Sequence, residues 1–367
     1  MQNIKVDIEQ WNIQWEIVFT KNIFQSIKEE IKDYQSKTFL FAIDSRVFEL
    51  YEDYIMEWIS DLNVYTIIIP HWEENKNMDN VFKIIDKLME KSLTRKDYVV
   101  ALWGGVIWDI TWFASSLFKR WTKLIQVPTT LLSMFDSSVW GKTGVDYMWV
   151  KNGIGTFYSA DLVLVDNKFL KTLEDKEILW WFFEGLKHSI LQSKEEFDGF
   201  VQILEYLWQS PYNEKIDEII CQNIQCKLNV VQSDPMETIG KRRILNYGHT
   251  FWHALETYLN FQLWHGICVG FGIIYANLLA YNLWFLDKNT YQEIDTFVKN
   301  TLKDIKIKEL DFQEIYSYML NDKKNEDQEV NFILLKEFWN VFEYKANRED
   351  LKNAFDLFVK QVVNDWN

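Results

Sequence analysis

Glycine is scarce in this chain. Its 367 residues hold 13 glycines beside 18 tryptophans, so glycine stands at about half of its usual share of roughly 7%. The shortage bears on one stretch above all. Trp103-Gly104-Gly105-Val106-Ile107-Trp108-Asp109 follows the apolar run Tyr98 to Leu102 and leads into a helical pattern. A strand-to-helix turn holds phosphate through backbone N–H groups that come close, which favours residues without a β-carbon; here two indoles flank the turn. Cysteine is scarce as well. Cys221, Cys226 and Cys268 make no CxxC pair and an odd count, which argues against a disulfide framework and for a reducing compartment. Positive charge is in deficit, with 39 Lys and Arg against 54 Asp and Glu and a net charge of -15. No nucleic-acid or anionic-membrane partner is therefore expected, although an acidic chain can still hold a local basic pocket. No window reaches the ~18 uncharged apolar residues of a membrane span, and Met1 to Asp7 lacks the apolar stretch of a signal peptide. A cytoplasmic protein is expected.

What is present is ordinary globular composition, 48% hydrophobic and 25% charged, in a chain long enough for two domains. In the first half, short apolar runs alternate with amphipathic ones. Phe39 to Ile43, Val64 to Ile69, Tyr98 to Leu102, Lys123 to Val127 and Leu162 to Val165 read as buried strands, and Asn77 to Lys91 and Ile110 to Lys119 as helices between them. That order predicts an α/β fold with a largely parallel sheet. From about Asp175 the period lengthens. Glu177 to Gln192, Tyr212 to Val231, Arg243 to Leu259, Cys268 to Leu283 and Arg348 to Val363 read as helices, with one strand at Val330 to Leu335. The boundary is expected at residue 172, giving domains 1–172 and 173–367, with no Pro/Gly-rich linker between them.

Two groups of residues carry chemistry. His249 and His253 lie four apart, one helical turn on the same face, and His265 follows. With Glu184 they make a site of two imidazoles and a carboxylate possible, leaving a position open as catalytic zinc requires; an i, i+4 His pair is equally at home on a hydrogen-bonded helix face. The second group is basic: Arg120, Lys142, Lys151, Lys187, Lys227, Arg242 and Lys323-Lys324. Most such residues in an acidic protein are solvated surface. Lys142 and Lys151, however, stand beside glycines in Trp140-Gly141-Lys142-Thr143-Gly144 and Lys151-Asn152-Gly153-Ile154-Gly155, where an anion can approach closely and meet the ammonium. Asp136-Ser137-Ser138 adds a carboxylate and hydroxyls.

Six stretches, taken in order, resemble the successive signatures of the 3-dehydroquinate synthases: Pro70 to Lys76, Trp103 to Asp109, Gln126 to Leu132, Asp136 to Gly144, Leu245 to His253 and Asn321 to Lys324. They span nearly the whole chain. The resemblance implies a Rossmann-like NAD-binding domain followed by a mainly α-helical metal-binding domain. It places Asp44, Glu73, Lys76, Gly104, Gly105, Val106, Asp109, Thr129, Thr130, Phe169 and Thr172 at the NAD, with Lys142 and Lys151 reaching into that site. It makes Glu184, His249 and His265 the ligands of a divalent metal, zinc or cobalt, and turns His253 into a pocket residue. Arg120, Asn152 and one of Lys323 or Lys324 would grip a substrate phosphate. Lys227 and Arg242 would hold a carboxylate, with Asp136, Lys187 and Asn246 around the reacting carbons. The implied reaction converts 3-deoxy-D-arabino-heptulosonate 7-phosphate to 3-dehydroquinate and phosphate, a step of the shikimate pathway. It proceeds by transient oxidation with NAD, phosphate elimination, re-reduction and aldol closure, with zinc as a Lewis acid. A related cyclase making an inosose or valiolone is the alternative, and a homodimer is expected.

Most departures from the pattern are of one kind, though not all. Arg46 stands two residues after Asp44 where a small polar residue is usual. By contrast, Trp72, Trp103, Trp108, Trp112, Trp121, Trp140, Trp149, Trp181, Trp252, Trp284 and Trp339 all fall where the family pattern has glycine. Returning these eleven to glycine restores about its ordinary share of ~7%. The indoles are then native core, or the mark of a decayed pseudoenzyme, or the product of reading UGA as tryptophan where the source organism reads glycine. Decay scatters over residue types, so the third reading is favoured, and it predicts that Trp103 and Trp108 crowd the cofactor site or are pushed outward from it.

Overall fold

The structure, a computed structural model, describes residues 3–8, 13–59, 62–104, 106–139, 141–148, 150–209, 215–307, 310–320 and 329–364. Runs of β-branched and aromatic residues build a seven-stranded sheet from β1 (Ile4–Ile8), β2 (Ile13–Phe19), β3 (Thr38–Asp44), β4 (Asn63–Ile69), β5 (Tyr98–Trp103), β6 (Lys123–Pro128) and β9 (Leu162–Val165). A short antiparallel hairpin of β7 (Val145–Tyr147) and β8 (Val150–Ile154) lies outside it. The strand order is β1-β2-β9-β6-β5-β3-β4. Every neighbouring pair is parallel except β1 with β2. β5 and β9 are buried along their whole length, as the near-continuous apolar runs require of a sheet covered on both faces. The five expected strands are all present, within a residue or so at each end. The edge hairpin β1–β2 was not expected, because its alternation carries charges at Lys5, Asp7 and Glu16.

The order also locates a crevice. From β3 the chain winds outward to β4, then returns to place β5 on the other side of β3. The carboxyl ends of β3 and β5 thus flank a topological switch point, where open α/β sheets bind their ligands. Asp44 ends β3, and Gly104 follows β5.

The chain separates into two compact units, 1–174 with 216–224 and 175–215 with 225–367. The second is mainly helical, and its centre is the helix His265–Asn282, buried from Gly266 to Ala280. A β-carbon on Gly266 would stand 1.9 Å from the Trp180 carbonyl oxygen. That absence of a side chain lets this helix lie against the helix Asp175–Ile190. The helix expected over Arg243 to Leu259 is instead broken: a 3-10 segment Lys241–Asn246 ends, and His249–Tyr258 begins after Gly248 at φ +80. Left-handed backbone cannot continue a right-handed helix. The last expected helix likewise ends at Phe358 and passes into a π turn, Val359–Asn364. The strand Val330–Glu337 (β10) has a partner that was not foreseen, Asn340–Ala346 (β11). Among the described residues no helix is long and apolar enough to cross a membrane.

Candidate functional site

At the switch point the side chains close into a compact polar centre. Asp109, in the first turn of the helix Val106–Leu117, is paired with Lys76, and both are buried. Lys76 Nζ also donates to Asn152 Oδ1 at 2.6 Å, and the Gly144 N–H donates to Asp109 Oδ1 at 3.1 Å. Burial pushes the Asp109 carboxyl up to about 6, although Lys76 pulls the other way. Asn152 takes a left-handed conformation, φ 51, which asparagine tolerates better than most residues, and its N–H donates to Asp146. A cavity of about 360 Å³, lined by Asp109, Lys142, Gly144, Asn152 and Thr156, opens here, and Trp108 stands in its wall. That is near the lower end of ligand-pocket volumes.

The other expected cofactor residues lie in the same unit. Asp44 is buried and accepts from the N–H groups of Arg46 (2.8 Å) and Val47 (3.2 Å), while burial raises its pKa. Thr129 is fastened to the end of β5, its N–H donating to the Trp103 carbonyl at 2.9 Å. Thr130 caps the short helix Leu131–Phe135. Phe169 is buried with its ring 4.9 Å from that of Tyr51, whose hydroxyl reaches Thr172 at 3.0 Å. Lys151 and Glu73 pair at 3.5 Å on the exposed surface. Arg120 is exposed in left-handed backbone, and Asp136, half-buried, ends the helix Leu131–Phe135. Val106 opens its helix. Gly105, Lys323 and Lys324 lie outside the described residues.

The helical unit holds a second centre. His265 is gripped by two carboxylates, Nε2 lying 3.2 Å from Glu184 Oε1 and Nδ1 2.6 Å from Glu256 Oε1. Burial alone would lower its pKa, but Glu184 and Glu256 outweigh burial and push it up to about 9. Glu184 is buried, which would raise its pKa; Lys187, 2.6 Å away, and His265 more than offset this and hold it well below the usual range. His249 and His253 face each other with ring centroids 5.3 Å apart. Lys227 and Arg242 are buried; Asn246 lines a pocket with His249, Thr250 and His253.

Between the expected ligands sits an indole. The ring of Trp252 lies 3.6 Å from that of His249, 5.5 Å from that of His265, and under the Lys187 ammonium at 5.4 Å. Among the described residues no three His, Cys, Asp or Glu side chains gather closely enough to hold a metal ion. The donors suit zinc in kind, but Trp252 occupies the space they would share, so the arrangement as it stands does not fit the ion. Glu256 escaped the sequence reading. Its one signal was its place three residues after His253 on the same helix, which puts the two on one face.

A doubly wound sheet unit joined in sequence to a helical unit defines a known class of fold. A crystal structure of 2-deoxy-scyllo-inosose synthase complexed with carbaglucose-6-phosphate, NAD+ and Co2+ shares it, with a TM-score of 0.83 at 21% identity, covering 96% of this chain and 99% of that one. So does a 2-epi-5-epi-valiolone synthase from Streptomyces hygroscopicus subsp. jinggangensis with NAD+ and Zn2+ bound, with a TM-score of 0.81 at 22% identity, covering 95% and 98%. The sequence is more specific than the fold. Residues 66–179 match the family model of the 3-dehydroquinate synthase N-terminal domain and residues 182–325 that of the C-terminal domain. The 3-dehydroquinate synthase of Alkaliphilus metalliredigens is 32% identical over 354 residues, 96% of this chain and 97% of its own length. The chain belongs to the 3-dehydroquinate synthase family.

Proposed function

We propose that the chain catalyses the 3-dehydroquinate synthase reaction, converting 3-deoxy-D-arabino-heptulosonate 7-phosphate to 3-dehydroquinate and phosphate with NAD and a divalent metal. The observation that carries this is the match to both family domains in order, at 32% identity to a curated relative over nearly the whole chain. The solved relatives of the same fold hold NAD+ with Co2+ or Zn2+. Bound NAD would supply a transient hydride acceptor.

The chain's own residues supply binding and orientation. Gly104 and the N-terminus of the helix Val106–Leu117 offer backbone donors to a dinucleotide phosphate, with Asp44, Glu73, Thr129, Thr130, Phe169 and Thr172 assigned to the rest of that site. Asp109, fixed by Lys76 and Gly144, holds the loop bearing Lys142 and Asn152 in place. Arg120, Asn152 and Lys323 or Lys324 are assigned to the substrate phosphate. Lys227 and Arg242, cations buried in the helical unit, are assigned to the carboxylate that distinguishes this substrate from those of inosose and valiolone synthases. Glu184, His249 and His265 are assigned to the metal; Asp136, Lys187, Asn246 and His253 to the reacting carbons. The residues 1–172 and 173–367 then act as the NAD-binding and the metal- and substrate-binding domains of a cytoplasmic homodimer.

The test is phosphate release from the heptulosonate phosphate by protein made in its source organism, with and without a chelator. Chelator-sensitive release is expected. Turnover of a sugar phosphate without the carboxylate, and none of the heptulosonate, would overturn the assignment in favour of a related cyclase.

A further inference from the structure

The tryptophans divide into those whose surroundings suit an indole and those whose surroundings do not. Trp15 lies in β2 opposite Val6. Trp264 precedes the helix His265–Asn282 at φ -66, its ring 4.9 Å from that of Trp180. Five others are misplaced, in two different ways.

Trp103, Trp112 and Trp252 are fully buried, and in each the indole N–H has no hydrogen-bond acceptor. Buried tryptophans usually find one, and an orphaned buried donor is destabilising. Trp103 ends β5 where its carbonyl is clamped by Thr129; its ring stacks on Trp108 at 5.5 Å, and Trp108 in turn lies 4.8 Å from Trp112. Three indoles therefore line up beside the crevice. Trp252 is the indole between His249 and His265.

Trp284 and Trp339 take left-handed backbone, φ 63 and φ 62. After the helix His265–Asn282, the Trp284 N–H donates to the Tyr281 carbonyl and the Phe285 N–H to the Ala280 carbonyl, the bonding of a helix end that favours glycine at this position. Trp339 is the second residue of the two-residue turn between β10 and β11, where positive φ again favours glycine. Other residues adopt positive φ, Asn152 and Asn260 among them, so the turns alone do not single out tryptophan. The turns and the orphaned indoles together do, in a chain with more tryptophan than glycine.

We propose that positions 103, 112, 252, 284 and 339 carry glycine in the functional protein, and that the tryptophans come from UGA codons which the source organism reads as glycine. One reassigned codon turns one residue type into one other, and so accounts at once for buried indoles at a strand end, in a helix and among the expected metal ligands and for left-handed indoles in two turns. The turn and burial observations stand without the proposed function; only the consequence at position 252, an emptied space between His249 and His265, rests on it.

The codons at the five positions and the masses of the corresponding peptides from the native protein test the proposal directly. UGA codons with glycine-bearing peptides are expected. UGG codons, or peptides carrying tryptophan, would overturn it whatever the activity. A second measurement compares zinc retained after dialysis by recombinant chain as written with that retained by Trp252→Gly and by a chain with all five substitutions. Retention should rise roughly tenfold or more, on the scale of the loss that follows disruption around a metal site. UGA codons with no rise in zinc would leave the recoding intact and count against the metal ligands assigned above.

Discussion

The polar centre of the sheet unit and that of the helical unit respond differently to the same intruder. Beside Asp109 the indole of Trp103 stacks on that of Trp108, which packs at a tilt against Trp112, and Lys76, Asp109, Gly144 and Asn152 keep their mutual contacts. Beside Glu184 the indole of Trp252 lies among the donors, with that of Trp181 5.7 Å from His265, and His249 makes no hydrogen bond to the carboxylates that hold His265. A crevice at a strand end has a helix face along which bulky rings can lie. A site made by imidazoles from two packed helices has no such slack, because its volume is the space between its ligands.

The comparison breaks most sharply through charge. Glu184→Gln leaves the Lys187 ammonium buried without the carboxylate it faces at 2.6 Å. A loss of about 3–5 kcal/mol in unfolding free energy is expected, the cost of orphaning a buried charge. Denaturant titration checks it, with Glu343→Gln, which removes the exposed partner of Arg243, as a control costing ~1 kcal/mol or less. Equal effects would show that the helical centre is not a strained, dry cluster.

A smaller effect probes the sheet centre through pH. The folded pKa of Asp109, about 6, is raised above its ordinary 3.8, so between roughly pH 4 and 6 the folded state binds more protons than the unfolded one. Stability then falls as pH rises through that window, and the full penalty, at most ~3 kcal/mol, stands above pH 6. Unfolding midpoints measured from pH 4 to 7 should fall less steeply for Asp109→Asn than for the unaltered chain. Equal slopes would remove the claim that burial, more than Lys76, governs this carboxyl.

Much of this was legible beforehand, and the illegible part has a physical cause. The buried strands announced themselves because a parallel sheet covered on both faces needs unbroken apolar runs such as Tyr98 to Leu102. Glu184, His249 and His265 were expected as metal ligands from residue type and resemblance, and of the three the structure brings Glu184 and His265 within 3.2 Å of each other. What neither could supply was conformation: the break at Gly248 depends on one left-handed residue packed against Gly272, and periodicity runs straight across it. Glu256 was missed because a helix-face carboxylate looks like solvated surface until its imidazole partner is brought alongside by a different helix. The hairpin partner β11 was missed because its alternation, with Glu343 and Lys345 facing outward, reads as weakly as β1 does.

The smallest effect expected comes from a residue that touches neither centre. Trp284 is 90% exposed, so Trp284→Gly forfeits little packing while relieving a left-handed conformation that costs a residue with a β-carbon ~1–2 kcal/mol. Glycine also gives back part of this through the greater freedom of the unfolded chain, so the net gain should be about 1 kcal/mol, seen as a rise of a few degrees in melting temperature. Trp264→Gly supplies the contrast. Its backbone lies at φ -66 and its ring packs on Trp180, so the same exchange should lower the melting temperature. If both variants shifted in one direction, backbone handedness would not be what separates the misplaced tryptophans from the fitting ones, and the division drawn between them would fail at its least crowded position, where no neighbouring side chain can be blamed.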